Sequence, residues 1–195
     1  MPLDDLTRLP DDALLVLYAN GDPAAARVLT ARLAPIVQAH AWRLLGDAAE
    51  AEDIAQEALL RLWKIAPDWR QGEARVTTWL YRVTANLATD RLRRRRGGSV
   101  TLDTIPEPED DAPGAEDRMQ DAARTVALHA ALATLPERQR QAVVLRHIEG
   151  LANPDIAEIM SLGVEAVESL VARGKRGLAA ALAGKREELG YQDDD

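Results

Sequence analysis

Apolar residues recur every three or four positions along most of this chain, the spacing expected of α-helices with one buried face. After Asp53, for example, Ile54, Ala58 and Leu62 fall on one stripe with polar residues between them. The stripes are separated by Pro, Gly, Asn and Asp, which are common at helix ends. This pattern predicts eight helices, covering about residues 11–19, 23–45, 48–65, 76–96, 118–132, 136–148, 155–160 and 164–182.

A few residues carry more specific expectations about how these helices begin and continue. Asp11 and Asn153 are expected as N-caps, because a short polar side chain can accept a hydrogen bond from the first turn. Pro154 would then occupy the first helical position, where its missing N–H costs nothing. Pro35 lies inside the second helix, where the same missing N–H predicts a kink or a break.

The middle of the chain has a different composition. Residues 97–121 contain eight acidic residues, one basic residue, three prolines and three glycines. Such a stretch is typical of an extended linker, either a plain solvated tether or an acidic strand that occupies a basic channel on a partner. The expected fold class is all-α, with two small helical domains joined by an acidic flexible linker. The predicted organisation is an N-terminal tail over 1–10, a domain over 11–96, the linker over 97–121, a domain over 122–186 and an acidic tail over 187–195.

Composition excludes several classes of function. The 195 residues include no cysteine, so disulfides and zinc–thiolate sites are ruled out, and a cytoplasmic location is expected. Neither a signal-peptide pattern nor a run of apolar residues long enough to cross a membrane is present, so no membrane insertion is expected. The three histidines, His40, His129 and His147, fall on different helices, and no nucleophile motif or phosphate-binding glycine loop occurs. We therefore expect neither an enzyme nor a metal or other cofactor.

The span 154–173 has the spacing of a helix-turn-helix motif. Ile156 and Met160 would form the inner face of a first helix, and Val167 and Val171 would pack a second helix onto it. The alternative is an ordinary pair of packed helices. If the second helix reads DNA, its outward positions are the ones that reach bases and phosphates. Those positions are Glu165, Glu168, Ser169, Arg173, Lys175 and Arg176.

A basic segment with aromatic neighbours ends the first domain. The formal net charge of the chain is −8, yet five of the six residues from Arg91 to Arg96 are arginine. Trp79, Tyr81 and Asn86 lie just upstream. Cations beside aromatic and amide groups suit single-stranded nucleic acid, with phosphates held by charge and bases stacked or read at their edges. The alternatives are that Trp79 is a core residue, and that the arginines are a solvated helix end or a membrane-surface patch.

These segments together resemble a known family. The sequence reads DIAQEALLRLW over 53–63 and TWLYRVTAN over 78–86, and the arginine run follows. It reads LPERQRQAVVLR over 135–146, before the helix-turn-helix. The first group resembles region 2 of RNA polymerase sigma factors, and the second resembles region 4. With no region 3 domain between them, the layout resembles the extracytoplasmic-function (ECF) group of the sigma-70 family.

The resemblance implies a promoter-specificity subunit whose partners are core RNA polymerase (its β′ and β subunits), promoter DNA and an anti-sigma factor. The recognition helix would lie in the major groove of the minus-35 element, and Ser161 stands where many relatives begin the turn with glycine. The residues implied for core polymerase binding are Asp53, Gln56, Glu57, Arg61 and Trp63. Those implied for the minus-10 element are Trp79, Tyr81, Arg82, Asn86, Arg91, Arg93, Arg94 and Arg95.

Two other functions compete with this interpretation. A helix-turn-helix repressor or activator would bind duplex DNA as a dimer, but it would not need both the 53–63 and 79–86 segments. A helical protein-interaction module would have no use for the basic end of residues 82–96. In-vitro transcription with core polymerase discriminates among the three.

Overall fold

The computed structural model describes residues 6–72, 74–97 and 115–183, and every regular element within them is helical. The predicted all-α class is confirmed. A 3-10 turn, Ala66–Asp68, follows the third helix, and a π-helical turn, Val144–Ile148, continues the sixth. In this part of the chain, no helix has the length and apolarity that crossing a membrane requires. The helices are α1 (Asp11–Ala19), α2 (Pro23–Leu45), α3 (Ala48–Ile65), α4 (Val76–Gly97), α5 (Ala115–Ala133), α6 (Glu137–Val143), α7 (Asn153–Met160) and α8 (Val164–Leu182).

Helices α1 to α4 form one bundle, in which α2 packs against the other three. Its core is built from leucines of all four helices, including the fully buried Leu14, Leu29, Leu62 and Leu80. Each comes from the apolar stripe that predicted its helix. The bundle fixes α3 and α4 side by side, with their polar faces outward.

The predicted N-terminal tail is wrong for the part that the structure describes. Leu6 is fully buried in the core of the bundle. The guanidinium of Arg32 donates 3.0 Å hydrogen bonds to the carbonyl oxygens of Thr7 and Leu9, and it also pairs with Asp11. Apolar packing and the Arg32 guanidinium thus hold a segment that was predicted to be a tail.

Helix α2 is not broken at Pro35, contrary to one of the two predicted outcomes. Pro35 lies on the exposed side of the helix. The carbonyl that loses its partner there can bond to water, so the proline costs less than it would in the core. Val37 and Ala41 continue the buried stripe beyond it.

Helices α5 to α8 form the second bundle. The α6 and α8 helices approach very closely where α8 has a glycine: a Cβ at Gly174 would lie 2.5 Å from Val143 Cγ2 and 2.9 Å from the carbonyl oxygen of Gln139. Helices α7 and α8 pack on each other through Ile156, Ala157 and Val167. The predicted packing of a helix-turn-helix is therefore present.

Three local predictions need correction. Asp11 and Asn153 are the first residues of their helices rather than N-caps, because Pro10 and Ala152 hold the extended positions before them. Helix α5 begins at Ala115, three residues before its predicted start at residue 118, and it overlaps the predicted linker as far as residue 121. The sequence AEDRMQD over 115–121 contains several good helix formers, and all three prolines of the predicted linker lie before it. Residues 98–114 of that linker, and the tail over 187–195, lie outside the described residues.

The two bundles pack against each other through an apolar layer. Leu44, Leu45 and Ala88 of the first meet Leu132 and Val144 of the second. All five are at least 93% removed from solvent. This contact positions the second bundle against α2 and α4.

Candidate functional site

A charged groove lies between α3 and α4. It has a volume of about 440 Å³, and its walls come from residues 53–61 of the first helix and 87–94 of the second. Four of the five residues expected to bind polymerase line it, namely Asp53, Gln56, Glu57 and Arg61. They meet because they occupy the outward positions between the buried Ile54, Ala58 and Leu62.

The groove combines mixed charge with one exposed apolar side chain. Arg61 Nε donates a 2.8 Å hydrogen bond to Glu57 Oε1 one turn away, which holds both chains along the helix. Leu60 lies beside them with 52% of its surface exposed, although it is a large apolar residue. An exposed leucine rimmed by charges is suited to docking a partner helix.

Trp63 does not join this groove. Its ring packs against Tyr18 with 4.8 Å between centroids, and it borders the core of the first bundle. Position 63 lies beyond Leu62 on the turn that faces α1, so helical rotation carries it away from Asp53 and Glu57. The structure therefore separates this residue from the other four.

Helical rotation also divides the arginine run into two sets. Arg91 and Arg95, one turn apart, face the start of α3: Arg95 Nη2 lies 2.9 Å from Asp47 and 2.7 Å from Glu50, and Arg91 Nη1 lies 3.5 Å from Glu50. These two arginines tie α4 to α3. Arg93 and Arg94 are exposed, and Arg93 has only a 3.6 Å contact with Asp90. Of the described arginines in the run, these two are the ones placed to meet phosphates.

An aromatic pocket of about 190 Å³ lies at the start of α4. Trp69 and Trp79 meet edge to face with 6.4 Å between ring centroids, and Asp68 and Arg70 complete the polar part of the wall. The indole N–H of Trp69 has no partner among the described residues. Trp79 was expected either as a core residue or as a nucleic-acid contact. Its side chain packs on the core of the first bundle and also lines this pocket. The pocket offers stacking faces and hydrogen-bonding groups, which is what an unpaired base needs.

The other residues expected at the minus-10 element have different surroundings. Asn86 is exposed on α4 and available to a ligand. Tyr81 is 92% buried, and its hydroxyl donates a 3.0 Å hydrogen bond to Glu149 in the second bundle. Arg82 donates a 2.7 Å hydrogen bond to the backbone carbonyl of Glu158 in α7. The structure therefore brings Tyr81 and Arg82 to the contact between the bundles.

Glu149 is the centre of that polar contact. Its Oε1 accepts hydrogen bonds from Arg43 at 2.8 Å and His40 Nδ1 at 3.3 Å, and Oε2 accepts the one from Tyr81. Burial by itself would raise the pKa of the Glu149 carboxyl, but His40, Arg43 and Tyr81 hold that pKa below its usual value. The group is therefore an anion with both oxygens satisfied by the first bundle.

Two partners of Glu149, His40 and Tyr81, have pKa values shifted in the directions that these hydrogen bonds require. Complete burial lowers the pKa of His40, so the ring is neutral and donates from Nδ1. Burial and the neighbouring carboxylate raise the pKa of Tyr81, which keeps its hydroxyl protonated as a donor. Sequence analysis missed this cluster, because Glu149 lies 68 to 109 residues away from its three partners along the chain.

The helix-turn-helix presents its predicted reading face to solvent. All six expected minus-35 residues are exposed on α8, from Glu165 to Arg176. Glu168 Oε1 accepts a 3.4 Å hydrogen bond from the Asn153 side chain, so the two helices share a polar contact at the surface. Ser161 closes the first helix at φ 52°, the left-handed position that glycine favours. The turn after the first helix of the motif is therefore made at Ser161.

No group of three or more side chains in the described part of the chain has the arrangement of a metal site. His40 and His129 are buried in different contacts, the latter against Trp42 with 3.5 Å between ring centroids.

Comparison with known proteins gives two family matches and several relatives. Residues 29–97 match "Sigma-70 region 2", and residues 125–178 match "Sigma-70, region 4". The RNA polymerase sigma-H factor of Pseudomonas aeruginosa is 31% identical over 91% of this chain and 96% of its own. The ECF RNA polymerase sigma factor SigE of Mycolicibacterium smegmatis is 34% identical over 86% of this chain and 66% of its own. SigW of Bacillus subtilis, another ECF sigma factor, is 30% identical over 72% of this chain and 80% of its own.

Two solved structures share the fold. CnrH, in complex with the cytosolic domain of CnrY, has a TM-score of 0.65 and covers 89% of this chain and 97% of its own at 24% identity. The sigma factor RpoE of Bartonella quintana, in complex with the anti-sigma factor NepR, has a TM-score of 0.62 and covers 79% and 94% at 22% identity. The region 2 match spans α3, α4 and the aromatic pocket, and the region 4 match spans the helix-turn-helix. The chain belongs to the sigma-70 family of RNA polymerase sigma factors, in its ECF group.

Proposed function

We propose that this sigma factor binds core RNA polymerase through the groove between α3 and α4 and recognises promoter DNA with two separate surfaces. The minus-10 surface comprises the Trp69–Trp79 pocket, Asn86, Arg93 and Arg94, and the minus-35 surface is the exposed face of α8. The chain acts in the cytoplasm, where the polymerase is, and performs no chemistry of its own. It contributes binding free energy that favours the melted promoter over the closed one.

The observation that carries the polymerase proposal is the exposed Leu60 among paired charges. Replacing it with aspartate removes the apolar anchor of the groove without touching the core, because half of the side chain is already in water. We expect Leu60→Asp to weaken binding to core polymerase by about tenfold or more, a typical loss for a central apolar contact. Val126→Asp is the matched control, because Val126 is 49% exposed on a different helix. If the two variants bind core polymerase equally well, the polymerase does not bind at the groove between α3 and α4.

The minus-10 proposal rests on the tryptophan pocket and the exposed cations near it. With a fluorescent single-stranded oligonucleotide, Trp69→Ala should lose one stacking contact, about 1–3 kcal/mol. Reversing the charges of Arg93 and Arg94 should weaken binding and also lower its salt dependence. Arg27, exposed on α2, provides the control for charge reversal. If the salt slope is unchanged by the Arg93 and Arg94 substitutions, these side chains do not contact phosphate.

On the proposed minus-35 surface, acidic and basic residues of α8 are expected to contact different parts of the DNA. Glu168 can accept a hydrogen bond from the amino group of cytosine, while Arg173, Lys175 and Arg176 are suited to phosphates. Glu168→Gln should therefore change the preferred base at one position of the minus-35 element. Arg176→Ala should weaken all sequences alike. Start-site sequencing of transcripts from a promoter pool, with core polymerase and each variant, separates these outcomes.

Control by an anti-sigma factor is also part of this proposal. Two proteins with this fold were solved in complexes: CnrH with the cytosolic domain of CnrY, and the sigma factor RpoE with the anti-sigma factor NepR. An anti-sigma factor for this chain would compete with core polymerase for the groove or hold the two bundles together. Order-of-addition transcription assays with a purified candidate distinguish an inhibitor of this kind from a general repressor, because only the former loses effect once holoenzyme has formed.

A further inference from the structure

Asn153 is the first residue of α7 and lies beside the proposed reading face of α8. Asparagine is common where helices begin, because its side chain can accept a hydrogen bond from a backbone N–H of the first turn. Here the side chain makes no such bond. Ala152 holds the position before the helix, and Asn153 Oδ1 is buried with no hydrogen-bond partner among the described residues. The amide therefore does not serve the start of its own helix.

The amide of Asn153 faces α8 instead. Its Nδ2 donates a 3.4 Å hydrogen bond to Glu168 Oε1, fifteen residues further along the chain. Of the two orientations of the amide, only this one suits a carboxylate, because the other would set two acceptor oxygens against each other. Beneath the contact, α7 and α8 pack through Ile156, Ala157 and Val167, which fixes the distance between the two backbones.

Among the described residues, this amide is the one group that orients the Glu168 carboxylate. The carboxylate has no ion pair with any described cation, and its Oε2 has no hydrogen-bond partner there. Arg173, the next cation along α8, is already engaged, because its Nε donates a 3.1 Å hydrogen bond to the carbonyl oxygen of Ser169. The orientation of Glu168 therefore depends on Asn153.

A long hydrogen bond at the surface adds little to stability, so its effect lies in orientation. An exposed glutamate samples several rotamers, and it would lose that freedom when it binds a base. Phosphates also repel a carboxylate, so an unrestrained Glu168 would turn away from the duplex. A neutral donor at one oxygen limits the rotamers and keeps the negative charge. The other oxygen can then accept a hydrogen bond from the amino group of cytosine.

Glu165 provides a comparison on the same helix. It lies one turn before Glu168 and is also exposed, but no described side chain bonds to its carboxylate. The two acids therefore differ in preorganisation and not in charge. A role in base recognition is expected for the acid whose side chain is already held.

We propose that Asn153 is a positioning residue for minus-35 recognition, because its amide holds Glu168 in the rotamer that accepts a hydrogen bond from a base. This inference rests on the proposed function and adds a residue of α7 to the set expected on α8. The base selected by Glu168 then depends on Asn153. The phosphate contacts proposed for Arg173, Lys175 and Arg176 do not.

The contact can be measured without DNA, from the NMR three-bond couplings that report the χ1 rotamer of Glu168. The wild-type chain should give the couplings of one dominant rotamer. Asn153→Ala removes the donor and should give averaged couplings. Asn153→Asp is the sharper variant, because an acid in the first turn suits the helix dipole but sets a second carboxylate against Glu168. It should average the same couplings while α7 stays folded, and the couplings of Glu165 should not change.

Transcription with core polymerase, from a promoter library randomised across the minus-35 element, then measures base selection. The base pair that Glu168 selects is the one whose preference Glu168→Ala removes, and one specific contact gives a preference of about tenfold. Asn153→Ala and Asn153→Asp should each reduce that preference to about threefold, as expected for a partly misplaced contact, and leave the other base pairs unchanged. Added to Glu168→Ala, neither should have a further effect. Asp155→Ala is the matched control, because it truncates a polar side chain in the same turn that has no hydrogen bond to the described part of α8.

Four results would contradict the inference, and they have different meanings. Unchanged couplings of Glu168 in both variants mean that Asn153 does not hold it. Averaged couplings with an undiminished base preference mean that the contact has no role in recognition. An equal loss of transcription from every promoter, matched by Asp155→Ala, assigns Asn153 to the stability of α7. If Glu168→Ala itself changes no base preference, the proposed reading by Glu168 fails and the positioning role fails with it, while the couplings still establish the contact.

Discussion

Arg140 offers the sharpest test of how the two bundles are held together. The residue is 93% buried, and its guanidinium donates to three backbone carbonyls: Leu44 at 2.6 Å, Ala133 at 3.0 Å and Leu135 at 3.4 Å. Leu44 lies in the last turn of α2, and Ala133 is the last residue of α5. One side chain thus satisfies the C-terminal carbonyls of a helix in each bundle.

We expect Arg140→Met to lower the free energy of unfolding by about 3 kcal/mol. Methionine keeps the apolar stem in place, so the loss comes from the hydrogen bonds. Two short bonds from a charged donor contribute about 1.5–3 kcal/mol each, and the cost of burying the guanidinium in the wild type offsets part of that sum. Lysine at this position should recover less than half of the loss, because one ammonium cannot reproduce the planar fork.

Urea unfolding followed by circular dichroism measures the effect. Arg138→Met is the matched control, because it removes an arginine two residues away on the same helix at an exposed position. Exposed substitutions of this kind change stability by about 0.5 kcal/mol or less. If Arg140→Met costs no more than Arg138→Met, the guanidinium does not stabilise the two helix ends and the reasoning is refuted.

Three further predictions concern the turn, the packing of α8 and pH. Ser161→Gly should raise the free energy of unfolding by up to about 1 kcal/mol, since glycine adopts the left-handed φ of 52° without strain; a lower melting temperature would contradict this. Gly174→Ala should destabilise by about 1–3 kcal/mol, because its Cβ would lie 2.5 Å from Val143, whereas Gly177→Ala, whose Cβ meets only the end of a leucine side chain, should cost less in the same urea titration. Burial and the charge of Arg43 lower the pKa of His129 to about 4, so protonation favours the unfolded chain, and the stability that His129 contributes above pH 6.5 should fall by about 2 kcal/mol between pH 7 and 5, beside a separate loss from the buried His40. His129→Gln should therefore make the pH profile shallower, and an unchanged slope would assign it to His40 or other groups.

The sequence predicted individual helices with good accuracy. Helices α3 and α8 have the predicted bounds, Ala48–Ile65 and Val164–Leu182. Both carry a regular apolar stripe bounded by clear breaking residues, so local information was sufficient. The predicted inner faces of the helix-turn-helix are also buried, because a spacing of three and four residues determines which side chains share a face.

Local signals were less reliable where a distant partner decides the outcome. The stretch before Pro10 looked like a tail, yet Leu6 is buried because Arg32, more than twenty residues away, fixes the backbone beside it. The arginine run was treated as one phosphate-binding unit, but α3 pairs with Arg91 and Arg95. Helical rotation could have separated the two sets in advance. Asp47 and Glu50, which pair with Arg91 and Arg95, lie beside these arginines only in the folded bundle.

The sequence by itself determined the all-α class, the family motifs and which side chains share a helix face, because each depends on spacing within about twenty residues. Only the tertiary structure decided which exposed-looking residues are covered. Glu149 reads in the sequence as an acid at a helix end, and Tyr81 reads as a base-stacking ring. Their hydrogen bond joins residues 68 positions apart in sequence. Contacts of that kind depend on how whole helices pack, and the pattern of a single segment carries no information about them.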